Sequence, residues 1–193
     1  FRRVLFRSGY GAACWTGLRT PPSNIDWILF SSADGSDELT EQDAMKWAKA
    51  AANGADLILG KRMAAANGRS ELSFAQRNGN ALCCFWIGLG WGRWFSDLGS
   101  MRAITLAALR RLALEDRGFG WNIEMQVRAI EEGLSIVEIP AVYLSRRAVE
   151  SKISGTFWGA LRAAKGMSGM IFRLWRTRAV RQRRAPSFQL HGS

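Results

Sequence analysis

An α/β fold built on an open sheet is predicted by three observations. Apolar runs of strand length alternate with longer stretches of helical period, polar Gly-containing loops follow the apolar runs, and no Pro-rich linker, low-complexity tract or internal repeat interrupts the alternation. At 193 residues, with 48% hydrophobic and 22% charged side chains, the chain is long enough for one domain with a real core. It is neither disordered nor collagenous in composition.

Taken in order, Gly9-Tyr10-Gly11 leads into a helix over Ala12–Arg19, which Pro21, Pro22 and Asn24 stop. A strand follows at Trp27–Ser31. The polar loop Ala33-Asp34-Gly35-Ser36-Asp37-Glu38 ends it. Thr40 with Asp43 then resembles a capping box, Asp standing for the usual Glu or Gln, for a helix running to about Ala52. Asn53-Gly54 closes that helix. Leu57–Gly60 is a second strand, and Leu72–Leu89 a long apolar helix broken at Asn78-Gly79. Leu106–Leu112 and Asn122–Glu132 are further helices, Ile136–Ser145 carries β-type residues around Pro140, and residues 155–176 are again helical in period.

Lys and Arg number 27 against 16 Asp and Glu, a formal charge of +11. Arg2, Arg3 and Arg7 open the chain, and Arg176, Arg178, Arg181, Arg183 and Arg184 fall near its end, with no acid in either end segment. The basicity is thus mainly terminal and does not imply an inner nucleic-acid cleft. No RNP, zinc-ligand or helix-turn-helix pattern supports one, so nucleic acid is not an expected partner. Cys14, Cys83 and Cys84 include an adjacent pair whose bridge would be strained, which favours a reduced, cytosolic environment. No apolar run reaches the ~18 residues of a spanning helix. The opening FRRVLFRS lacks the order of a signal peptide and an initiator Met, and the chain reads as a fragment.

The loop after the first strand is the chemical centre of the sequence. Ligands of open α/β sheets bind beyond the carboxyl ends of the strands, where Asp34, Asp37 and Glu38 fall. Carboxylates so placed suit a hard divalent cation that bridges two nucleotide phosphates. The same residues also compose an Asp-Gly turn followed by a helix cap.

From Gly9 to about Trp175 the sequence resembles family 2 glycosyltransferases of the polyprenyl-phosphate sugar transferase type, the group that includes dolichol-phosphate mannosyltransferase. Gly9-Tyr10-Gly11-Ala12-Ala13 resembles the family's Gly-Lys/Tyr-Gly-x-Ala turn, and Ala33-Asp34-Gly35-Ser36-Asp37 the end of its Asp-x-Asp-Gly-Ser-Asp metal motif. Gly54-Ala55-Asp56-Leu57-Ile58-Leu59-Gly60-Lys61-Arg62 resembles its Gly-Ala-Asp-Leu-Val-x-Gly-Ser-Arg strand. Ser96-Asp97-Leu98-Gly99-Ser100-Met101-Arg102-Ala103 is similar to the acceptor-side segment, and Phe119-Gly120-Trp121-Asn122-Ile123-Glu124-Met125 to a helix start near the transferred sugar. Val137-Glu138-Ile139-Pro140 and Ser151-Lys152-Ile153-Ser154-Gly155-Thr156 resemble the closing elements. The specificity lies in the order and spacing of these motifs together.

The resemblance implies a nucleotide-diphospho-sugar transferase fold, GT-A and Rossmann-like, incomplete at its N-terminus. The family's Asn-Glu-Glu and Asp-Asp-Gly type motifs, which hold the base and ribose, would precede Gly9, so residues 1–193 by themselves are expected to transfer sugar poorly or not at all. Residues 1–8 are unmatched, consistent with a sequencing or assembly artefact, and 9–154 form the glycosyltransferase domain fragment. The implied reaction is inverting transfer of a sugar from a UDP- or GDP-linked donor to a polyprenyl-phosphate or related lipid acceptor. Mg2+ or Mn2+ would be held by Asp34, with Ser36 and Asp37 as neighbours. Ser32 occupies the position of the first metal-motif aspartate, and a hydroxyl binds such a cation more weakly than a carboxylate.

Arg62 and Arg77 resemble the family's phosphate-contacting arginines, and Arg102 and Lys152, inside matched segments, join them as substrate-binding candidates. Asp97 and Glu124 are the catalytic candidates that would position the acceptor. Each also has a plain reading: Arg62 and Arg77 as solvated surface charge, Asp97 as a turn residue, Glu124 as a partner of its helix N-terminus. A degenerate, non-catalytic member that binds lipid or a partner protein is the alternative function, and a basic nucleic-acid-binding module a remoter one.

At about 100° per residue, Arg162, Lys165, Arg173 and Arg176 fall opposite Leu161, Ala164, Met167, Ile171 and Trp175. With Trp158 and Trp175 near its ends and a basic, disordered tail over 177–193, the 155–176 helix is expected to lie on an anionic membrane surface. The protein would then be peripheral on the cytoplasmic membrane face. The same pattern also describes a helix packed on the protein's own core, and Phe85-Trp86-Ile87-Gly88-Leu89-Gly90-Trp91 adds a second aromatic stretch open to both readings.

Overall fold

A computed structural model describes residues 2–19, 24–62, 72, 74–144 and 166–178, with the backbone alone at 2–9 and 75. The helices are α1 (Arg2–Gly17), α2 (Glu41–Ala52), α3 (Phe74–Trp91), α4 (Leu106–Leu112), α5 (Trp121–Glu131) and α6 (166–178). The strands are β1 (Trp27–Phe30), β2 (Asp37–Glu38), β3 (Leu57–Lys61), β4 (Arg102–Thr105), β5 (Ile136–Pro140) and β6 (Val142–Tyr143). Both element types interleave along the chain, and the expected α/β class holds.

Four strands form one sheet in the order β1-β4-β3-β5. β3 and β5 are parallel, while β4 runs against both β1 and β3. It follows that β1, β3 and β5 point the same way and bring their carboxyl ends to one edge. Arg102, the first residue of β4, lies there opposite Phe30 and Leu59. The reversed strand therefore draws the segment before it, 96–101, to the edge where the other strands end. A single residue, Ala141, separates β5 from β6, which pairs with β2 in a small second sheet: Asp37 faces Tyr143, and Glu38 faces Val142.

Leu57, Ile58 and Leu59 are buried on both faces of β3, the continuous apolar run of a strand covered by helices on each side. Leu57, Leu59 and Ile104 meet Ile87 and Trp91 of α3, Leu112 of α4 and Trp121 of α5 in the larger core. Ile58, Ala103 and Ile139 meet Trp47 of α2 on the other face. Cys83 and Cys84 face the larger core, and burial pushes their thiols up to about 11 and about 12, so both stay protonated at neutral pH.

The α2 cap forms as the sequence predicts. The Thr40 hydroxyl accepts from the Asp43 N–H (3.1 Å) and donates to its carboxylate (2.8 Å), and Lys46 Nζ sits 3.0 Å from the same side chain. Gly54 beyond the helix takes φ +84°, open to glycine without strain. Hydrogen bonds from Lys46 and then Thr40 hold Asp43 below its usual pKa. Its stabilising contribution is therefore present above the ordinary aspartate range and lost as pH falls through the lowered value. Thr40→Ala is expected to lower stability by about 1 kcal/mol, read as a fall in the urea midpoint with an unchanged slope.

Several elements differ from their expected form. α1 begins well before Ala12, and Gly9-Tyr10-Gly11 lies inside it rather than in a turn. Gly11 is required where α1 crosses the 116–118 loop: a Cβ there would stand 2.8 Å from the Arg117 carbonyl carbon, and the Gly11 N–H donates to the Gly118 carbonyl at 3.1 Å. α3 runs unbroken through Asn78-Gly79, because packing of Cys83, Cys84, Ile87 and Trp91 outweighs the ~1 kcal/mol that one glycine costs a helix. β2 and β4 were not expected as strands. Pro140 closes β5 on the sheet's outer edge, where a missing N–H is tolerated.

The largest correction concerns the C-terminal helix. Ile171 and Leu174, with Met170 beside them, are buried in the larger core and Met167 packs against it, so most of the apolar face expected to enter lipid is turned onto the protein over 166–178, while Trp175 stays exposed. Core burial satisfies the same periodicity that a membrane surface would. Arg173 reaches Asp116 at 3.4 Å. The Trp158, Leu161, Arg162, Ala164, Lys165 and Lys152 assignments, with the 177–193 tail beyond Arg178, lie outside the described residues.

Candidate active site

The loop after β1 is folded by its own polar side chains. Asp34 Oδ1 accepts from the Ser36 N–H (3.1 Å) and the Ser36 hydroxyl (2.5 Å), a side-chain-closed turn around Gly35 at φ +75°. Asp37 Oδ2 accepts from the Ser32 N–H and from the Ser100 hydroxyl, both at 2.7 Å. The second of these bonds ties the acidic loop to the 96–101 segment. Ser36 is 1% exposed, and its carbonyl accepts from the Leu144 N–H at 2.9 Å, which fixes the loop to the chain after β6.

Arg62, just past β3, meets Asp97 in a two-pronged pair. Its Nε donates to Oδ2 (2.9 Å) and its Nη2 to Oδ1 (2.8 Å), while its backbone N–H adds a third bond to Oδ2 (2.7 Å). The Asp97 side chain is fully buried. The guanidinium carbon lies 5.3 Å from the centre of the Tyr143 ring. The planar fork of arginine matches a carboxylate in a way that a lysine ammonium does not.

The rest of the 96–101 segment is held from below. Asn80 Oδ1 accepts from the Leu98 N–H (2.8 Å), Gln126 donates to the Asp97 carbonyl (3.2 Å), and Glu138 accepts from the Ser96 N–H and hydroxyl (3.2 and 2.9 Å). At Gly99 a Cβ would stand 2.6 Å from the Gly60 carbonyl oxygen, so only glycine permits this approach of the segment to β3.

The candidate residues separate by position. Asp34, Ser36, Asp37, Arg62 and Asp97 gather at the carboxyl edge of the sheet. Arg102 is fully buried at that edge and donates to the carbonyls of Asn122 and Gly99, so the observed contacts make it a brace for the segment rather than a substrate contact. Burial lowers its pKa, and among the described residues no carboxylate is bonded to it. Glu124 stands apart from the acidic loop in its bonding: its buried carboxylate accepts from the N–H groups of Glu115 and Asp116 (3.0 and 2.7 Å) and anchors the loop before α5. Arg77 lies in the first turn of α3, half-buried. Tyr143, Ser100, Asn80, Gln126 and Glu138 were not among the candidates. Ser100 and Glu138 lay inside motifs already marked, whereas nothing local distinguishes Tyr143, whose place follows from β6 pairing with β2.

Among the described residues, no three His, Cys, Asp or Glu side chains converge on a common metal position. Asp34 has one oxygen bonded to Ser36, Asp37 one bonded to Ser32 and Ser100, and the Ser36 hydroxyl is spent on orienting Asp34. This donor set does not enclose a cation by itself. It fits Mg2+ or Mn2+ in the manner of sites with one or two carboxylates, where substrate phosphates and water complete the shell.

No protein-family model matches the chain. Over 155 residues it is 29% identical to an uncharacterized glycosyltransferase of Mycobacterium tuberculosis, a match covering 80% of this chain and 68% of that protein. It is 28% identical over 161 residues to an undecaprenyl-phosphate mannosyltransferase of Micrococcus luteus, covering 79% of this chain and 64% of that protein. With a polyprenol monophosphomannose synthase of Mycolicibacterium smegmatis the identity is 25% over 162 residues, covering 78% and 58%.

Proposed function

We infer that this chain, which its relatives support as polyprenyl-phosphate glycosyltransferase-like, transfers a sugar from a UDP- or GDP-linked donor to a polyprenyl phosphate, with inversion at the anomeric carbon. The observation that carries the reading is the bonded chain from Asp37 through Ser100 to the segment containing Asp97 and its partner Arg62, at the carboxyl edge of β1 and β3. Donor-side acids and an acceptor-side cation thereby share one edge. A lipid acceptor also places the reaction at a membrane surface.

In this mechanism a phosphate oxygen of the acceptor forms the new bond to the anomeric carbon as the bond to the diphosphate breaks, and the electron pair departs on the diphosphate. An anionic phosphate needs no strong base, so Asp97 is not required to take a proton. Its task is to hold Arg62, whose charge favours the incoming phosphate. Asp34, set by Ser36, with Asp37 beside it, would hold a divalent cation. That cation, when bound, offsets charge developing on the leaving diphosphate. Tyr143 covers one face of Arg62 and fixes its direction.

The test is transfer of radiolabelled sugar from GDP-mannose or UDP-glucose to a short polyprenyl phosphate, with and without Mg2+ or Mn2+, by the chain extended upstream through the base- and ribose-holding motifs that the resemblance implies. Asp34→Ala is expected to lower kcat/KM by at least about 100-fold, a loss of the size that a transition-state charge contact carries, while circular dichroism stays unchanged. Ser32→Asp is expected to lower the metal concentration needed for half-maximal rate. Turnover insensitive to both chelator and Asp34→Ala defeats the assignment.

A further inference from the structure

A cavity of about 300 Å³ opens in the helical layer among α1, α4 and α5. Leu18 at the end of α1, Leu106 and Leu109 of α4, and Leu114 beyond it give the cavity aliphatic walls. Trp15 and Trp121, edge to face with 5.8 Å between ring centres, line it as well. β4 ends at Thr105 opposite Trp27, the first residue of β1, so α4 starts at the amino edge of the sheet. The acidic loop and Asp97 belong to the other edge, and none of their residues lines the cavity. Its size falls at the lower end of small-molecule sites and suits about ten non-hydrogen atoms.

The polar side-chain groups of the lining are all donors. Among the described residues, the indole N–H groups of Trp15 and Trp121 are buried and have no hydrogen-bond partner, and a buried donor left unmet is costly. Arg110, exposed, adds a guanidinium, and no described Asp or Glu lies in the lining beside it. Water in the cavity could accept from the indoles but would find no side-chain acceptor for its own protons, so it is readily displaced. Ala113, also in the lining, ends α4 at φ +47°, a left-handed conformation uncommon for a residue with a side chain. Such strain persists where the surroundings over-determine it, and ligand sites are one such place.

We propose that this cavity binds a medium-chain fatty carboxylate, with the hydrocarbon chain against the four leucines and the carboxylate accepting from the indole N–H groups and Arg110. A carboxylate offers acceptors and no donor, which is what the lining leaves unmet. The planar guanidinium fork can take it in two parallel bonds. An amine of the same length would meet only donors, and an alcohol would bring no charge to Arg110. A chain of about ten carbons fills the volume. Occupancy ties α1, α4 and α5 together and so raises the thermal midpoint by mass action. The site is separate from the sheet edge that carries Asp34 and Asp97, and it stands or falls independently of sugar transfer.

The experiment is isothermal titration calorimetry of the full chain with sodium decanoate, decanol and decylamine, with the thermal midpoint followed in parallel. Decanoate is expected to bind saturably, one per chain, and to raise the midpoint; decanol should bind at least about fivefold more weakly and decylamine not at all. Arg110→Gln should weaken decanoate binding about fivefold at low salt, with circular dichroism unchanged because Arg110 is exposed. Trp15→Phe and Trp121→Phe keep a ring and remove one donor each, and at least one of them should weaken decanoate about five- to tenfold without changing the affinity for decanol. Absence of decanoate binding by the wild type overturns the proposal, as does decanol binding as tightly as decanoate. Unchanged decanoate affinity in Arg110→Gln, or in both indole variants, overturns it too. Binding that disappears when the chain is extended upstream has the same force, since the cavity is then filled by the protein itself.

Discussion

Arg62→Ala is expected to destabilise the protein by about 3–5 kcal/mol, the usual result of leaving a buried carboxylate without its cation. The Asp97 side chain is fully buried and the Arg62 side chain 17% exposed, so water cannot replace the lost partner without opening the segment. The backbone N–H of Arg62 still donates to Asp97, but a single neutral donor does not balance a buried charge. Asp97→Ala should be similarly harmful, and the double variant less harmful than the sum, with a coupling on the order of 2 kcal/mol in a double-mutant cycle. Arg62→Lys should recover only part of the loss, since one ammonium cannot make both side-chain bonds. Urea unfolding of the four proteins checks this. Single-variant losses below about 1 kcal/mol would place the pair in the class of solvated surface bridges.

The second large effect is expected at Trp121, at the start of α5. Its ring is wholly buried and meets Trp15 of α1 (5.8 Å between centres) and Phe30 of β1 (6.1 Å), both edge to face. Trp121→Ala should cost about 3–5 kcal/mol, since three elements lose a common neighbour and cannot all close on the void. Trp121→Phe should cost clearly less. Among the described residues the buried Trp121 indole N–H has no hydrogen-bond partner, and phenylalanine removes that donor while keeping an aromatic edge for Trp15. Thermal unfolding of the two variants, referred to the wild type, separates these expectations; a Phe loss equal to that of Ala would mean that neither the retained ring nor the removal of the unmet donor offsets the change.

Local chemistry was legible in the sequence and long-range pairing was not. Thr40 and Asp43 are three residues apart, and the cap they form depends on nothing distant. The run Leu57–Leu59 announces a covered strand by composition alone. β4, by contrast, is four residues long and begins with an arginine, and it is a strand only because β1 and β3 flank it. Asp97 and Arg62 lie 35 positions apart, so the motif order put both near the site without revealing that each holds the other. Glu124 shows the opposite failure: its helix-start position was visible, but its commitment to the Glu115 and Asp116 amides depends on how the preceding loop folds back. For α6, periodicity gave two faces and said nothing about which medium would cover the apolar one. Core packing supplied the answer at Ile171 and Leu174.

Ser32, Arg62 and Leu98 all lie outside the α-helices and strands, and each donates its backbone N–H to a side chain: Asp37, Asp97 and Asn80 respectively. Loops at binding sites commonly lose conformational freedom when a ligand arrives, at about 1–2 kcal/mol for each residue newly fixed. In this protein those three amides are already bonded before any ligand is present. For the six residues 96–101 the corresponding loss, several kcal/mol on that scale, is met during folding by the same contacts that build the core. A molecule reaching this edge therefore encounters a finished mould and keeps for its own affinity the free energy that a floppy site would have consumed.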